Sequence, residues 1–485
     1  MIALLTVGLL GALDHTIVST SLATIAGDLG ALGHMGWIVV GYTLASTVLL
    51  PVLGRLADVV GARPVFLASL AGFLIASAAC GFAQDMTFLI VARVLQGMSS
   101  AGLHLMSQTI VAHVTTPRER PRVMSLIGVA FPVAILVGPV IGGLIADFWG
   151  WPWLFWINLP FGIAAFALAA FAVPRIAPGA RRGFDYAGAA AFTASLTAIV
   201  LGVTWMGEPD TAPAAVTAFA IGGIAFAGFV LIEQRAPQPI LSFRVLRDRT
   251  VAVGVTLSAI IGLGLFAIVA YLPTYFQMAY RTTATVSGLV PIATVLGMLV
   301  SNLLTGALIA RSGRYRMYPI LGTALASAGL LVMALLPLGL PLWVPMIVMS
   351  VVGIGIGAFM NVVVAVVQSA APREELGAVT ATTNVVRQVG STLGTAIVGG
   401  VIGAGVASLL PSWLDAETLT PQALQSADVA VQDAVASAYH DIFAPIFIVI
   451  AAVYAVGVVV ALLLPPGRLT DDEIVAADEV EVATR

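Results

Sequence analysis

The chain contains little charge, one cysteine and no lysine. Only 9% of its 485 residues are charged, whereas 60% are hydrophobic and the mean hydropathy is +1.05. Soluble domains carry about 25% charged residues, so this composition excludes that class and indicates a polytopic membrane protein. The single cysteine, Cys80, excludes an internal disulfide and a thiolate metal site. The net charge of −3 carries no signature of nucleic-acid binding, and we expect no cofactor.

Long apolar runs cover most of the sequence. A helix needs ~20 apolar residues to cross the ~30 Å of membrane hydrocarbon, and these runs lack the alternation of β-barrel strands. Helices are then the only spanning structures that satisfy the backbone, so we predict an all-α polytopic membrane protein. The fourteen predicted transmembrane helices begin near residues 1, 35, 64, 86, 123, 153, 185, 213, 250, 285, 317, 341, 377 and 442.

The positions of the arginines predict the orientation of the chain. Eighteen of the 21 basic residues, all of them arginine, fall in alternate loops or at the C-terminus. The opposite loops hold Arg281 and the acidic residues Asp28, Asp85, Asp147, Glu208 and Asp210. Because arginine is enriched on the cytoplasmic side, we expect a multi-pass protein of the cytoplasmic membrane with both termini in the cytoplasm. The last two arginines, Arg93 and Arg387, lie inside predicted helices.

Asp14 is the one carboxylate deep inside a predicted membrane helix. A charge at the bilayer centre costs roughly 3 kcal/mol on insertion scales, so a carboxylate kept there usually faces a cavity and has a function. Burial disfavours the ionised form, and we predict that Asp14 carries a proton; a permanent structural pair with an arginine is the alternative. Arg93 lies at a similar depth, about 10 Å from the outer side, and either pairs with Asp14 or tunes it without contact.

One loop pattern occurs twice. Gly54 and Gly61, seven residues apart, accompany arginines after span 2, and Gly306 and Gly313 do so after span 10. Glycine lets helices approach closely, and arginine can bind carbonyls at a helix C-terminus. This recurrence predicts two six-helix halves with two helices inserted between them, as in secondary transporters. The predicted divisions are an N-terminal bundle at 1–173, linkers and inserted helices at 174–248, a C-terminal bundle at 249–467 with an external loop at 410–441, and an acidic cytoplasmic tail at 468–485.

Six short segments carry patterns that are specific in combination. They are Leu13–Val18, Gly54–Phe66, Arg93–Gly97, Gly138–Gly143, Trp151–Pro160 and Arg387–Gly390. In this order and on these helices they resemble the motifs of the major facilitator superfamily, and in particular its fourteen-span drug:proton antiporter family of multidrug efflux pumps. The resemblance covers essentially the whole chain. It departs from the family at Pro152, where arginine is usual, and at Ala134, where glycine is usual.

The resemblance implies roles for two groups of residues. Asp14 and Arg93 would couple transport to protons. By the same resemblance, Asp58 holds the two halves together on the cytoplasmic side when the transporter opens outward, and releases as it opens inward. The other residues of this gating group are Gly54, Gly61, Arg63, Gly138, Pro139 and Gly142. A solvated turn at Asp58 and a simple kink at Gly138–Pro139 are the structural alternatives.

Several further residues are candidates for lining a substrate cavity. They are Gln108, Phe266, Tyr271, Tyr275, Phe359, Asn361 and Arg387. Aromatic rings suit greasy cations, although such residues are more often part of the core or face lipid. Some relatives carry a second acid in the region of span 10, but Val286–Ala310 contains none here. Neutral or singly charged substrates are therefore favoured over dications.

We predict a proton-coupled exporter of small lipophilic, neutral or monocationic drugs that works by alternating access as a monomer in membrane lipid. A dedicated exporter of one endogenous metabolite or lipid, with the same fold, is the alternative. The five histidines are scattered, and no G-x-S-x-G or H-E-x-x-H pattern occurs, so the chain is not expected to be an enzyme. No Walker loop supports an ATP-driven pump, and nothing indicates the selectivity ring of a channel.

Overall fold

Most of the described residues are helical. The computed structural model describes residues 2–29, 35–174, 185–205, 212–236, 245–282, 284–372, 375–409, 424 and 427–469. In chain order the helices are α1 Ile2–Thr20, α2 Leu22–Asp28, α3 Met35–Val60, α4 Ala62–Gly81, α5 Met86–Val114, α6 Arg120–Gly128, α7 Ala130–Trp149, α8 Trp153–Trp156, α9 Asn158–Ala172, α10 Tyr186–Trp205, α11 Ala212–Arg235, α12 Arg249–Ala279, α13 Ala284–Ser312, α14 Met317–Leu335, α15 Trp343–Gly357, α16 Met360–Ala370, α17 Leu376–Leu409 and α18 Val429–Leu462.

Twelve helical segments within the described ranges are long and apolar enough to cross a membrane. Some of these spans join two helices across a short break, as α8 and α9 do over Trp153–Ala172. Two further apolar helices, α1 and α10, coincide with the first and seventh predicted spans, but their apolar runs, Ala3–Val18 and Tyr186–Gly202, are shorter. The prediction of an all-α polytopic membrane protein is confirmed, and a total of fourteen crossings stays a prediction.

Two breaks in the helices have a proline four residues after the last helical residue. Pro132 cannot donate a hydrogen bond to the carbonyl of Gly128, where α6 ends, and Pro160 cannot donate to Trp156, where α8 ends. The helix does not break at Gly138–Pro139, where a kink was the structural alternative, because α7 continues through both residues. After the break that follows α8, the helix α9 begins at Asn158.

The chain forms two compact units. Unit 1 comprises Met1–Ala252, Val364–Val385 and Leu469–Arg485, and unit 2 comprises Val253–Val363 and Val386–Arg468. In unit 1, α5 packs against both α3 and α4, and α1 packs against α7 and α9. The α10–α11 hairpin contacts α3 in the same unit. Buried apolar side chains of α1, α2, α4, α5 and α8, including Ile17, Leu89 and Phe155, form one core cluster.

Unit 2 is built around α14, which packs against α15 and α18, while α13 packs against α15. An aromatic cluster joins α12 to α18, with the Tyr275 ring centroid 5.0 Å from that of Phe443 and 5.4 Å from that of Phe447. Helix α18 begins at Val429, well before the predicted start near 442, because this alanine- and valine-rich segment continues the helix into the expected external loop. The rest of that loop, apart from residues 424, 427 and 428, and the tail from 470 lie outside the described residues.

Candidate functional site

Asp14 lies in α1 and is buried against α5 of unit 1. Its side chain pairs with Arg93, whose Nη1 is 2.7 Å from Asp14 Oδ2. Both residues are only 1% exposed. An intramembrane charge is costly unless it is paired, and these two charges neutralise each other. Of the two alternatives left by the sequence, the structure therefore has Arg93 in direct contact with Asp14.

Three neutral side chains complete the hydrogen-bond network around this ion pair. Gln96 Nε2 and Asn158 Nδ2 each donate to Asp14 Oδ1 at 2.8 Å. The same two nitrogens also donate to Ser77 Oγ, at 2.7 Å from Gln96 and 3.1 Å from Asn158. Gln96 Oε1 in turn accepts from Arg93 Nη1 at 2.7 Å. Helices α1, α4, α5 and α9 are thus joined through one buried polar network.

Arg93 is held by more than its ion pair. Its Nε donates to the Ile38 carbonyl at 3.3 Å. Its guanidinium carbon lies 4.2 Å from the centroid of the Tyr42 ring and 5.7 Å from that of Phe155, within the range of a cation–π interaction. These contacts fix the guanidinium independently of Asp14. Arg93 therefore has partners besides Asp14.

The sequence explains how α9 brings Asn158 to this network. Pro160 ends α8 and makes Asn158 the first residue of α9, where its side chain is directed towards α1 and α4. The aromatic segment before it supplies Trp151, Leu154 and Phe155 to the apolar cluster around the ion pair. Such surroundings exclude water and lower the local dielectric, which strengthens both the attraction within the pair and the penalty for breaking it.

Asp58 lies near the C-terminal end of α3 and receives two backbone hydrogen bonds. Its Oδ1 accepts from the Gly377 amide at 2.9 Å and its Oδ2 from the Ala378 amide at 3.0 Å. Both amides belong to the first turn of α17, in the segment Val364–Val385 that is part of unit 1. An anion at a helix N-terminus satisfies free amides and interacts favourably with the helix dipole. Asp58 is therefore more than a solvated turn residue.

The glycines and the arginine around Asp58 have separate structural reasons. A methyl group added at Gly54 would lie 2.6 Å from Ala381 Cβ and 2.8 Å from the Gly377 carbonyl oxygen, so only glycine permits this approach of α3 to α17. Gly61 precedes α4 with φ of 98°, a conformation that favours glycine. Arg63 Nη2 donates to the Ala170 carbonyl in the last turn of α9.

The motif at Gly138 is a packing site between α7 and α1. A side chain added at Gly138 would collide with Thr16, two residues after Asp14 on α1. Gly142, one helical turn later, is also buried. The Pro139 side chain lies outside the described ones. Close packing at Gly138 therefore fixes α7 against the helix that carries Asp14.

Gln108, a predicted cavity residue, is bonded to other protein groups in unit 1. Its Oε1 accepts from Asn384 Nδ2 at 2.7 Å, and its backbone carbonyl accepts from Gln368 Nε2 at 3.4 Å. Gln368 Nε2 also donates to Thr380 Oγ1 at 2.9 Å. This group, Gln108 with Gln368, Thr380 and Asn384, joins α5 to α16 and α17. We refer to it as the amide cluster.

The other predicted cavity residues belong to unit 2. Tyr275 lies in the aromatic cluster, 1% exposed, with its hydroxyl 3.3 Å from His440 Nδ1. Asn361 Nδ2 donates to Asn302 Oδ1 at 3.2 Å, and Phe359 is fully buried. Tyr271 and Arg387 are partly buried, and the Phe266 side chain lies outside the described ones.

Sequence reasoning did not single out Ser77, Gln96, Asn158, Gln368 and Asn384 as site residues. Gln96 and Asn158 stand inside the motifs that resemble the family, which was the available signal. Ser77 had none, because serine in an apolar helix commonly bonds to its own backbone. The distance in sequence between Asn158 and Asp14 explains why their contact could not be read from local spacing.

An all-helical membrane protein with a buried carboxylate–arginine pair has the features of a secondary transporter. The chain belongs to the Major Facilitator Superfamily, whose sequence model matches residues 4–395. It is a transporter and not an enzyme, as the sequence predicted. The fourteen-span drug:proton antiporter subtype stays a prediction.

Relatives of known sequence agree with membership of this superfamily, and a solved structure is similar in fold. The chain is 32% identical, over 96% of its length and 69% of the relative, to an uncharacterised MFS-type transporter of Mycobacterium tuberculosis. It is 30% identical to the multidrug transporter protein MdtP of Bacillus subtilis, over 82% of this chain and 74% of MdtP. Among solved structures, the proton:xylose symporter XylE is similar in fold, with a TM-score of 0.63 and 14% identity over 98% of each chain.

Proposed function

We propose that this protein is a proton-coupled exporter of small lipophilic, neutral or singly charged compounds. The observation that carries the proposal is the buried ion pair of Asp14 and Arg93, joined at 2.7 Å within a closed polar network. A purely structural pair could be replaced by apolar residues at little cost, whereas a proton carrier needs a carboxylate. The similarity to a multidrug transporter at 30% identity supports export of drug-like compounds.

Coupling would follow from the two charge states of Asp14. A proton on Asp14 removes its negative charge, breaks the hydrogen bond to Arg93 and leaves the guanidinium as the only charge in the network. Because Tyr42, Phe155 and the Ile38 carbonyl also hold Arg93, the change is confined at first to α1. Gly138 packs α7 on α1 beside Asp14, so a shift of α1 would also move α7. Protonation of Asp14 would in this way move two helices, α1 and α7.

Gating on the cytoplasmic side would depend on Asp58. Its two bonds to the first turn of α17 hold that turn against α3, and Gly54 lets the helices come close enough for those bonds. We propose that these bonds are present when the transporter is closed to the cytoplasm and break when it opens inward. The gain from an anion at a helix N-terminus, about 0.3–2 kcal/mol, suits a contact that must be reversible.

The proposal includes an orientation and a substrate class. Arginines in alternate loops support fourteen crossings of the cell membrane with both termini in the cytoplasm. No acid occurs between Val286 and Ala310, which supports neutral or monocationic substrates over dications. For a neutral substrate, one proton moved across ~100 mV is worth about 2.3 kcal/mol, so even a single proton per cycle can drive accumulation, whereas one-for-one exchange with a monocation is electroneutral and uses the pH gradient alone.

The test compares Asp14→Asn with Asp28→Asn in inverted membrane vesicles. Asp28 ends α2 and is exposed, so its variant controls for loss of a carboxylate near the same helix. Ethidium is added to vesicles that hold a proton gradient, and the gradient is followed with an acridine dye. We expect ethidium to release protons from vesicles with the unchanged protein or Asp28→Asn, but not with Asp14→Asn. Full proton release with Asp14→Asn would remove Asp14 from the mechanism.

A further inference from the structure

The two oxygens of Asp14 are bound in different ways. Oδ2 accepts from the cationic Arg93 Nη1 at 2.7 Å. Oδ1 accepts from two neutral amides, those of Gln96 and Asn158, each at 2.8 Å. The carboxylate therefore has a charged side and a neutral side. Oδ2 has a single described hydrogen bond, whereas Oδ1 has two, so Oδ2 is the oxygen whose bonding can change more easily.

Ser77 anchors the neutral side. A side-chain amide carries two N–H groups, and both Gln96 and Asn158 direct one to Asp14 Oδ1 and one to Ser77 Oγ. Gln96 and Asn158 are 0% and 2% exposed, so neither amide has water as a substitute partner. The hydroxyl of Ser77 thus keeps the amide of Asn158 aligned with Asp14. We call Asn158 and Ser77 the Oδ1 clamp.

We propose that the Oδ1 clamp sets the pH at which Asp14 takes up its proton and directs that proton to Oδ2. This inference rests on the proposed proton-carrying role of Asp14. When a proton binds Oδ2, the hydrogen bond from Arg93 Nη1 to that oxygen breaks, and the proton forms the O–H bond of a neutral carboxyl. Arg93 retains its bonds to Gln96 Oε1 and the Ile38 carbonyl, at 2.7 Å and 3.3 Å. Oδ1, then a carbonyl oxygen, still accepts from both amides.

Few of the described side chains near Asp14 can titrate. Among them, the charged and titratable ones that act on Asp14 are Arg93 of α5, Cys80 of α4 and Tyr42 of α3. Helices α7, α8 and α9 also pack against α1, and their described side chains include no acid or base. Arg120 of α6 is bonded elsewhere, to the Ala112 carbonyl and Ser369, and Asp28 of α2 is exposed. Among the described residues, the neutral groups that bond to this carboxyl are therefore Asn158 of the clamp and Gln96, each at 2.8 Å.

The clamp stabilises the ionised carboxylate more than the neutral carboxyl, because hydrogen bonds to a charged acceptor are the stronger ones. Replacing Asn158 by leucine removes one such bond at similar volume, so the midpoint for protonation rises by about one pH unit or more. Asn158→Asp keeps the shape but places a second carboxylate at Oδ1, and the midpoint rises at least as much. Ser77→Ala loosens both amides and gives a smaller rise. Ser69→Ala, another buried serine of α4, leaves the midpoint unchanged.

The experiment is an infrared pH titration of the purified, full-length transporter in lipid. The C=O stretch of a protonated carboxyl is assigned to Asp14 by its loss in Asp14→Asn, made on each variant background. The stated shifts for Asn158→Leu and Asn158→Asp support the clamp. Unchanged midpoints in both variants overturn it, as does absence of an Asp14 band at every pH at which the protein stays folded. Proton release by ethidium in Asp14→Asn vesicles would overturn the proposed function instead, with the measured clamp shifts unaffected.

Discussion

Arg93 and Asp14 form an ion pair in which the arginine is the better anchored partner. The guanidinium also contacts the Ile38 carbonyl, Gln96 and the Tyr42 ring, and it is held on several sides. The carboxylate depends on Arg93 for its only opposite charge among the described residues. The proposed change in the charge of Asp14 would therefore occur beside a fixed cation.

The first prediction concerns the energetic coupling within this pair. Arg93→Gln leaves a buried carboxylate without its cation and should lower the free energy of unfolding by about 3–5 kcal/mol. Asp14→Asn combined with Arg93→Gln leaves two neutral groups and should recover most of that loss. Thermal unfolding of the purified variants, followed by tryptophan fluorescence, measures the non-additivity. The exposed pair of Arg281 and Asp433 is the control, and Arg281→Gln should cost about 1 kcal/mol or less. Additive effects at the buried pair would mean that the two side chains act independently.

The second prediction concerns Asp58. Asp58→Asn removes the negative charge that accepts from the Gly377 and Ala378 amides, so α17 should be held more weakly against α3. We expect normal expression with slower turnover of ethidium efflux. Asp85 is the matched control, since it caps the N-terminus of α5 and accepts from the Phe88 amide at 2.8 Å. Asp85→Asn should leave transport unchanged because asparagine caps a helix about as well. Unchanged turnover in Asp58→Asn would return Asp58 to a structural role.

The third prediction tests the close approach of α3 to α17. Gly54→Ala should slow transport, because its methyl group would meet Ala381 Cβ at 2.6 Å and the Gly377 carbonyl at 2.8 Å. Alanine favours helix over glycine, so a loss cannot come from helix propensity. Gly223→Ala in α11 is the control, since nothing lies within 4 Å of the added methyl group. Equal efflux rates for the two variants would contradict this reading of Gly54.

The fourth prediction separates two roles for Gln108. If Gln108 lines a substrate cavity, Gln108→Leu should change the half-saturation concentration differently for ethidium and for a neutral lipophilic compound. The bond to Asn384 at 2.7 Å instead predicts a similar loss of maximal rate for both compounds. Asn384→Leu should give the same loss, because it breaks the amide cluster from the other side. A substrate-dependent change confined to Gln108→Leu would favour the cavity.

The class of fold and the two members of the ion pair, Asp14 and Arg93, could be predicted from the sequence. Apolar length and arginine placement predict helices because the membrane imposes these requirements on any chain. Asp14 and Arg93 were identifiable because a charge inside an apolar run is rare and costly. Asp58 needed the family resemblance, since a charge at the membrane edge is ordinary.

Neutral partners were harder to predict. The Asn158 amide meets Asp14 only because Pro160 ends α8 and α9 packs on α1, and tertiary packing of this kind has no local signature. Aromatic residues were ambiguous for a related reason. Tyr275 suits a substrate cavity by composition, yet ring packing against Phe443 and Phe447 places it in the core of unit 2.

Cys80 is a natural site for chemical labelling that can report when the polar network around Asp14 opens. As the single cysteine, it lies fully buried in α4 with its Sγ 3.6 Å from Gln96 Oε1, beside the ion pair. A thiol reagent can modify it only when water reaches this part of the protein, so the alkylation rate measures how often the network opens. No cysteine-free background or introduced label is needed. Comparing that rate across pH and with ethidium present would time the opening of the network against transport itself.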